Sequence, residues 1–511
     1  MTPPEFIVAP SLLVPLALTA LAPLAIWLAR EDENKREAMS FIAAILTFLS
    51  VASLIPDVLH GKILTYTLCE LMPGVSVKFA ADGLAMIFAF ISSFLWIFTT
   101  SYNIGYMRGN KEHAQTRYYI CFAVAIFGAQ GVSFSANIFT LYLFYEVITM
   151  FTYPLVAHHE DEEGFAGARK YIVYLMGTSK LFLLPAMILT YILCGTLDMH
   201  LGDALTGMFP KDADPVLVSI TYALYILGIG KAALIPFHNW LPSAMVAPTP
   251  VSALLHAVAV VKAGVFSVSR IMLSGFGVEA LNDLGLGLPT ACLAALTIVV
   301  ASLIALTKDD LKARLAYSTV SQLSYVIIGV ALLTPLTVSG GLMHIAHHAF
   351  SKITLFYTAG AIYTATHIKK ISLMRGLGRK MPWTYAAFAI ASLSMIGVPP
   401  VCGFVTKWYL VTGIMDPAFL PKWFYTGTGI TWAGTALLAA LLTSTILNAG
   451  YFTPVVFSAF FRKPAPEVNI EKYSEASATM VVPLFCTALL SVAIGLYPDF
   501  FLAFTRIFAK F

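Results

Sequence analysis

Long apolar stretches, separated by short polar ones, run the length of the chain. Crossing a bilayer takes roughly 20 apolar residues in a helix. Runs of that kind lie near 6–29, 37–59, 82–103, 117–135, 137–157, 168–194, 215–240, 248–274, 286–307, 314–334, 338–366, 383–414, 428–461 and 476–508. They predict an all-α integral membrane protein with about fourteen transmembrane helices, here called spans 1–14. The stretch 62–80 breaks the pattern: it alternates loosely, is rich in β-branched residues and turns at Pro73-Gly74, which predicts a short β-hairpin outside the membrane. The first run lacks a basic leader and a small-residue cleavage site, so a retained helix is expected.

Composition agrees with this pattern. Only 11% of residues are charged and 59% are hydrophobic, against about 25% charged in a soluble domain, so lipid must cover much of the exterior. The net charge of +4 is spread out and gives no nucleic-acid signal. The acidic run Glu160–Glu163 reads as a solvated turn. The cysteines, Cys69, Cys121, Cys194, Cys292, Cys402 and Cys486, lie far apart, with no C-x-x-C pair and no His/Cys metal spacing. No metal and no cofactor are therefore expected, and any electrons that drive this protein are carried by another chain.

Basic residues divide unevenly between the two sets of loops. The odd-to-even loops (1–2, 3–4 and so on) hold 19, and the other loops with both termini hold 7, Arg270 among them. The richer side is expected in the cytoplasm, with both termini on the outer, periplasmic side of the inner membrane. Five basic residues remain, all lysines placed inside apolar runs: Lys180, Lys231, Lys262, Lys352 and Lys407. Glu146 is the one carboxylate placed well inside a span. A lysine at a helix centre costs about 2.5–3.5 kcal/mol on insertion scales. One acid cannot neutralise five lysines, so the set is expected to line a hydrated path and exchange protons, although single members such as Lys180 or Lys262 could instead reach an interface by snorkelling.

Two spans look broken at depth. In span 7 Pro236 frees the carbonyl of Ala232, next to Lys231, and in span 12 Pro399 and Pro400 free those of Met395 and Ile396, ahead of Lys407. In span 11 His344, His348 and Lys352 stand four residues apart, which confines them to roughly 80° of one helical face. His347 points about 60° to the other side and can face a neighbouring helix. Ser318, Gln322 and Tyr325 share a face of span 10 and could order water or simply bond between helices. His256 and Lys262 in span 8 are six apart and point about 120° from each other. Similar strings around His256 and His347, with the two breaks, suggest that spans 4–8 and 9–13 repeat one another. The implied division is 1–116, 117–274, 286–461 and 476–511.

Five strings carry a family resemblance: LYLFYEVITMFTYPLV (141–156), GKAALIPFHNWLPSAMVAPTPVSALLHAVAVVKAGVF (230–266), DDLKARLAYSTVSQLSYVIIG (309–329), HHAFSKITLFYTAGAI (347–362) and GVPPVCGFVTKW (397–408). They resemble the antiporter-like subunits: the L, M and N-type membrane subunits of complex I, the Mrp antiporter D subunit, and membrane-bound hydrogenase relatives. The resemblance implies fourteen helices with two inverted five-helix repeats, each with a broken helix. It implies that Glu146 and Lys231 pair, that Lys262 with His256 forms a connecting relay, and that His344, His348 and Lys352 lead to Lys407. Lysine at 407 and the end of the chain after span 14 are more like the D and hydrogenase-linked types, and Lys180 is an addition to the complex I pattern.

The expected function is proton translocation, with or without sodium exchange, by a subunit working with other membrane subunits. The chain would serve either an ion-translocating oxidoreductase, without a redox centre of its own, or a non-enzymatic antiporter. A stand-alone carrier for a small solute is the alternative; midplane breaks fit it, but a lining dominated by lysine and histidine does not. The absence of cysteine clusters and glycine-rich nucleotide loops speaks against a redox enzyme, and a passive scaffold would not need the lysines.

Overall fold

The computed structural model describes residues 5–416 and 432–508. Residues 428–431 of span 13, together with Lys422 and Lys510 from the charge count, lie outside them. The chain is mostly helical. We label the main helices α1 (Leu13–Leu28), α2 (Glu33–Ala52), α3 (Gly83–Gly109), α4 (Gln115–Ser133), α5 (Ile138–Val156), α6 (Glu162–Cys194), α7 (Pro215–Gly228), α8 (Thr249–Asp283), α9 (Gly287–Thr307), α10 (Leu311–Ala331), α11 (Pro335–Thr366), α12 (Pro382–Ile396), α13 (Cys402–Met415), α14 (Trp432–Phe461), α15 (Ala478–Leu496) and α16 (Asp499–Phe508). Many begin at residues that suit a helix start. The side chains of Asp32, Asp82, Asn137, Asp161 and Asp310 accept from first-turn amides of α2, α3, α5, α6 and α10, and Thr334 forms a reciprocal cap with Thr337 on α11.

Among the described residues, nine helices are long and apolar enough to cross a membrane. The other expected spans coincide with α4, α7, α10, α11 and the α12–α13 pair. These are the segments that are interrupted or carry the most polar side chains, which lowers their apparent hydropathy.

Burial ranks the helices from the centre outwards. The most apolar window of α8 is 100% buried, whereas those of α1, α2, α6, α14 and α15 are 33% buried. α11 is also buried almost throughout. The two helices at the centre are therefore the ones that carry His256, Lys262, His344, His348 and Lys352, which takes these groups out of contact with lipid.

The expected hairpin forms from β2 (Lys62–Met72) and β3 (Val75–Ala81), antiparallel with irregular register near Cys69 and Met72. A third strand, β1 (Glu5–Val8), pairs parallel to β2 and gives the order β1-β2-β3. Four residues ahead of a long apolar run carry too little alternation to be read as a strand.

Two expectations are corrected. Span 14 is not continuous to 508: Pro498 cannot continue the ladder, and α15 ends at Leu496 before α16 starts at Asp499. Arg270 is not a loop residue. α8 runs on to Asp283, and Arg270 lies 1% exposed within it, paired to Asp82. Beyond Arg270 the chain keeps its helical course through a widened turn at Ile271–Phe276.

Candidate functional site

The interruption of span 7 is longer than a proline kink. α7 stops at Gly228, a single tight turn covers Gly230–Ala232, and helix resumes only at Trp240–Ser243. Lys231 sits in the break itself and is fully buried. Backbone groups released there find side-chain partners: Tyr145 Oη accepts from the Lys231 amide at 3.1 Å, and Trp240 Nε1 donates to the Gly230 carbonyl at 3.0 Å. Lys231 Nζ donates to the Tyr145 carbonyl and to Thr149 Oγ1, each at 2.6 Å, and lies 3.2 Å from the centre of the Tyr145 ring. All three contacts come from α5.

Glu146 is next to Tyr145 in sequence but faces the other way. Its Oε1 is 3.8 Å from Lys180 Nζ, and neither carboxylate oxygen has a hydrogen bond. Among the described residues no ion pair joins Glu146 to Lys231. Lys180 also donates to Tyr142 Oη at 2.5 Å. It lies in a widened turn of α6, Ser179–Leu183, just before Pro185. The lysine that fitted the family pattern least is thus the direct partner of the buried acid.

α8 presses on the break. A Cβ at Gly264 would come within 2.3 Å of the Lys231 carbonyl carbon, so only glycine allows this approach. Lys262, two residues earlier, reaches the other way, to His348 Nδ1 at 2.7 Å. His256 does not join it. It lies in another widened turn, Leu254–Val258, with its ring 4.5 Å from that of Phe356 and neither nitrogen hydrogen-bonded. The α-helical spacing used for the sequence does not hold across that turn.

On α11 the histidine column forms as expected. The rings of His344 and His348 are 5.9 Å apart, and His344 Nε2 is 3.1 Å from Gln322 Oε1. His347 turns to the other side and meets Thr406 Oγ1 of α13 at 2.8 Å. Lys352 donates to Ser318 Oγ at 2.9 Å.

From Ser318 a hydrogen-bonded chain continues to the second break. Tyr451 Oη lies 3.0 Å from Ser318 Oγ and donates to Asn448 Oδ1, so the serine hydroxyl donates to it; Asn448 Nδ2 donates to the Met395 carbonyl at 3.2 Å. The same carbonyl accepts from Lys407 Nζ at 3.2 Å, and the Ile396 carbonyl accepts at 2.6 Å. These are the two carbonyls that Pro399 and Pro400 were expected to free. Thr445 Oγ1 is a third acceptor for Lys407, at 2.9 Å. Lys352 and Lys407 are thereby joined through Ser318, Tyr451, Asn448 and one backbone carbonyl. Tyr451, Asn448 and Thr445, all on α14, were missed in the sequence. An amide in the apolar run 428–461 was the available signal, because polar groups at that depth are costly for the same reason that the lysines are.

The geometry at the second break requires glycine at 397. Its φ is +89°, and a Cβ would lie 2.6 Å from Lys407 Cδ. Gly397→Ala is expected to push Lys407 off the two carbonyls and to cost about 1–3 kcal/mol. A thermal melt of the detergent-purified complex should show the loss, while Gly450→Ala, 3.5 Å from its nearest neighbour, should not.

Two cavities open, one at a set of helix ends and one at the second break. One of about 470 Å³ is lined by Tyr106, Asp161, Glu163, Asp310, Lys312 and Lys369, at the helix ends assigned to the lysine- and arginine-rich side. The other, about 180 Å³, opens beside Lys407 between Tyr325, Trp408 and Thr445.

Residues 135–431 match the family described as NADH:quinone oxidoreductase/Mrp antiporter, TM. A similar protein is NADH-quinone oxidoreductase subunit N of Desulforudis audaxviator, 29% identical over 473 residues and covering 90% of each chain. Another is Na(+)/H(+) antiporter subunit A1 of Staphylococcus haemolyticus, 28% identical over 89% of this chain and 56% of that one, so this chain spans little more than half of it. A chain in the structure of the Mrp complex from Dietzia sp. shares the fold, with a TM-score of 0.80, 20% identity and 96% coverage of both chains. With the matched region covering more than half of its length, and the five sequence strings in place, this chain belongs to the NADH:quinone oxidoreductase/Mrp antiporter family of membrane subunits.

Proposed function

We propose that this chain moves protons across the membrane along Lys231, Lys262, His348, His344, Lys352 and Lys407, as one subunit of a multi-subunit complex of the complex I or Mrp type. The observation that carries this reading is the bonded path from Lys352 to Lys407, together with the direct Lys262–His348 contact. Proton transfer needs groups that exchange protons in contact with one another, and lysine, imidazole and hydroxyl groups meet that need; the Asn448 amide and the Met395 carbonyl only order the last stretch, where water carries the proton between Tyr451 and Lys407. Among the described residues, the ring nitrogens of His256, the Nδ1 of His344 and the Nε2 of His348 have no hydrogen-bond partner. Burying them dry would cost about 1–3 kcal/mol apiece, and water between them would both satisfy them and carry protons.

Glu146 and Lys180 set the charge next to Lys231. The two opposite charges meet 3.8 Å apart beside the first break, so a change in that pair acts on Lys231 through its field. All fourteen expected spans cross the bilayer in this reading, ten of them as two inverted five-helix repeats (spans 4–8 and 9–13) with breaks at α7 and at α12–α13. The larger cavity lies on the cytoplasmic side, and both termini lie outside. Sodium exchange would be a property of the whole complex.

The test is proton uptake by inverted vesicles that contain the whole complex. Lys231→Ala and Glu146→Gln are each expected to lower uptake at least tenfold with assembly unchanged. Lys180→Ala is expected to have a smaller effect, because Tyr145 and Thr149 hold Lys231 without it. Unchanged uptake in Lys231→Ala would reject the proposal.

A further inference from the structure

Away from the relay, two turns meet at the ends of α3 and α5. Glu112 and His113 lie between α3 and α4; His158 and His159 lie between α5 and α6. Glu112 Oε2 is 3.5 Å from His158 Nε2 and 3.5 Å from His159 Nε2. The His113 ring stacks on His158 with centres 4.9 Å apart, and donor atoms of Glu112, His113 and His158 all lie within 4.8 Å of one another. His158 is 0% exposed, yet neither of its ring nitrogens has a hydrogen-bond partner.

Hydrogen bonding does not account for this spacing. An N–H···O bond runs about 2.7–3.2 Å, and both contacts to Glu112 are longer. Around a zinc ion with bonds of about 2.0–2.1 Å, the edge of the coordination tetrahedron is roughly 3.4 Å. The Glu112–His158 and Glu112–His159 separations match that edge. Imidazole and carboxylate donors suit zinc among the biological divalent ions.

We propose that Glu112, His113 and His158, with His159 as a further donor beside Glu112, form a Zn²⁺ site that ties the α3–α4 turn to the α5–α6 turn. The sequence gives no sign of it because the donors come from two distant turns and follow no ligand spacing. The ion would fix one wall of the larger cavity, which His159 also lines. It would brace the end of α5, the helix that carries Glu146 and the acceptors of Lys231.

The test uses the purified whole complex, stripped with a chelator, titrated with Zn²⁺ alone against a chromophoric competitor, and assayed for retained metal after desalting. Wild type is expected to retain one more Zn²⁺ per copy of this chain than His158→Ala does, and Glu112→Gln is expected to weaken binding at least tenfold. His60→Ala, at an exposed histidine, should bind as wild type. If His158→Ala fails to assemble, His113→Gln, at an exposed position, replaces it, with the same expected tenfold weakening. Wild type and these variants retaining the same amount of Zn²⁺, or wild type retaining none, would overturn the proposal.

Discussion

Lys352→Ala is expected to cut proton translocation by the assembled complex at least a hundredfold, and Tyr451→Phe about tenfold. The two flank Ser318 in the bonded path, but they do different work. Lys352 is a proton-exchanging group, and it is the lysine that contacts Ser318. A hundredfold loss corresponds to about 2.7 kcal/mol in the barrier, within the range for removing a group that gives and takes a proton. Tyr451 supplies one hydroxyl between Ser318 and Asn448. Without it, water can enter in its place, so the loss is expected near one factor of ten, or about 1.4 kcal/mol. Proton uptake in inverted vesicles, normalised to the amount of assembled complex, measures both. Asn448→Leu should resemble Tyr451→Phe, since it breaks the same stretch one bond further on. If Tyr451→Phe and Asn448→Leu both translocate at the wild-type rate, the path from Lys352 to Lys407 does not run along α14.

Arg270→Leu is expected to destabilise the protein by about 3–5 kcal/mol. Arg270 and Asp82 form a two-point ion pair, with Nη1–Oδ2 at 2.5 Å and Nη2–Oδ1 at 2.8 Å, and their side chains are 1% and 5% exposed. Removing the arginine leaves a buried carboxylate without its counter-charge. Asp82 also caps α3 by accepting from the Ala85 amide at 2.8 Å, so Asp82→Leu loses both a charge partner and a cap and should cost at least as much. The double variant, Asp82→Leu with Arg270→Leu, should recover most of the loss, because two charges removed together leave neither unpaired. The guanidinium lies 5.3 Å from the Phe266 ring and 5.5 Å from the Phe508 ring, and leucine keeps part of that apolar contact. Thermal unfolding in detergent, followed by loss of the assembled complex, gives the order of the four proteins.

These two sites also mark how far the sequence could be read. The lysines were legible because each interrupts an apolar run, where charge is costly and rarely without purpose. The carbonyls that receive Lys407 were legible for a related reason: proline cannot donate to them, and a freed carbonyl at depth needs a partner. The stripe of His344, His348 and Lys352 followed from regular helical spacing, and α11 is regular throughout. What failed was geometry that depends on departures from the α-helix. The widened turns around His256, Lys180 and Ile271 rotate side chains by amounts that counting residues does not reveal. Resemblance, not spacing, placed His256 with Lys262, and Arg270 was counted with the loops. Partner choice failed for a second reason. Glu146 was paired with Lys231 by resemblance, but the neighbouring Tyr145 and Thr149 already satisfy that lysine, and the acid turns to Lys180. Polar residues without charge, Asn448 and Tyr451 among them, were passed over because a single amide or hydroxyl perturbs the apolar pattern less than a lysine does.

The central claim is that these groups form one path in series from the first break to the second. It is tested most directly by proton flux in vesicles bearing Lys231→Ala, Lys352→Ala and the double variant, with equal assembly established for each. A path in series predicts that both single variants and the double fall to the same low residual flux. Two single variants that each keep about half of the wild-type flux, with near-complete loss only in the double, would show two independent paths and contradict the account.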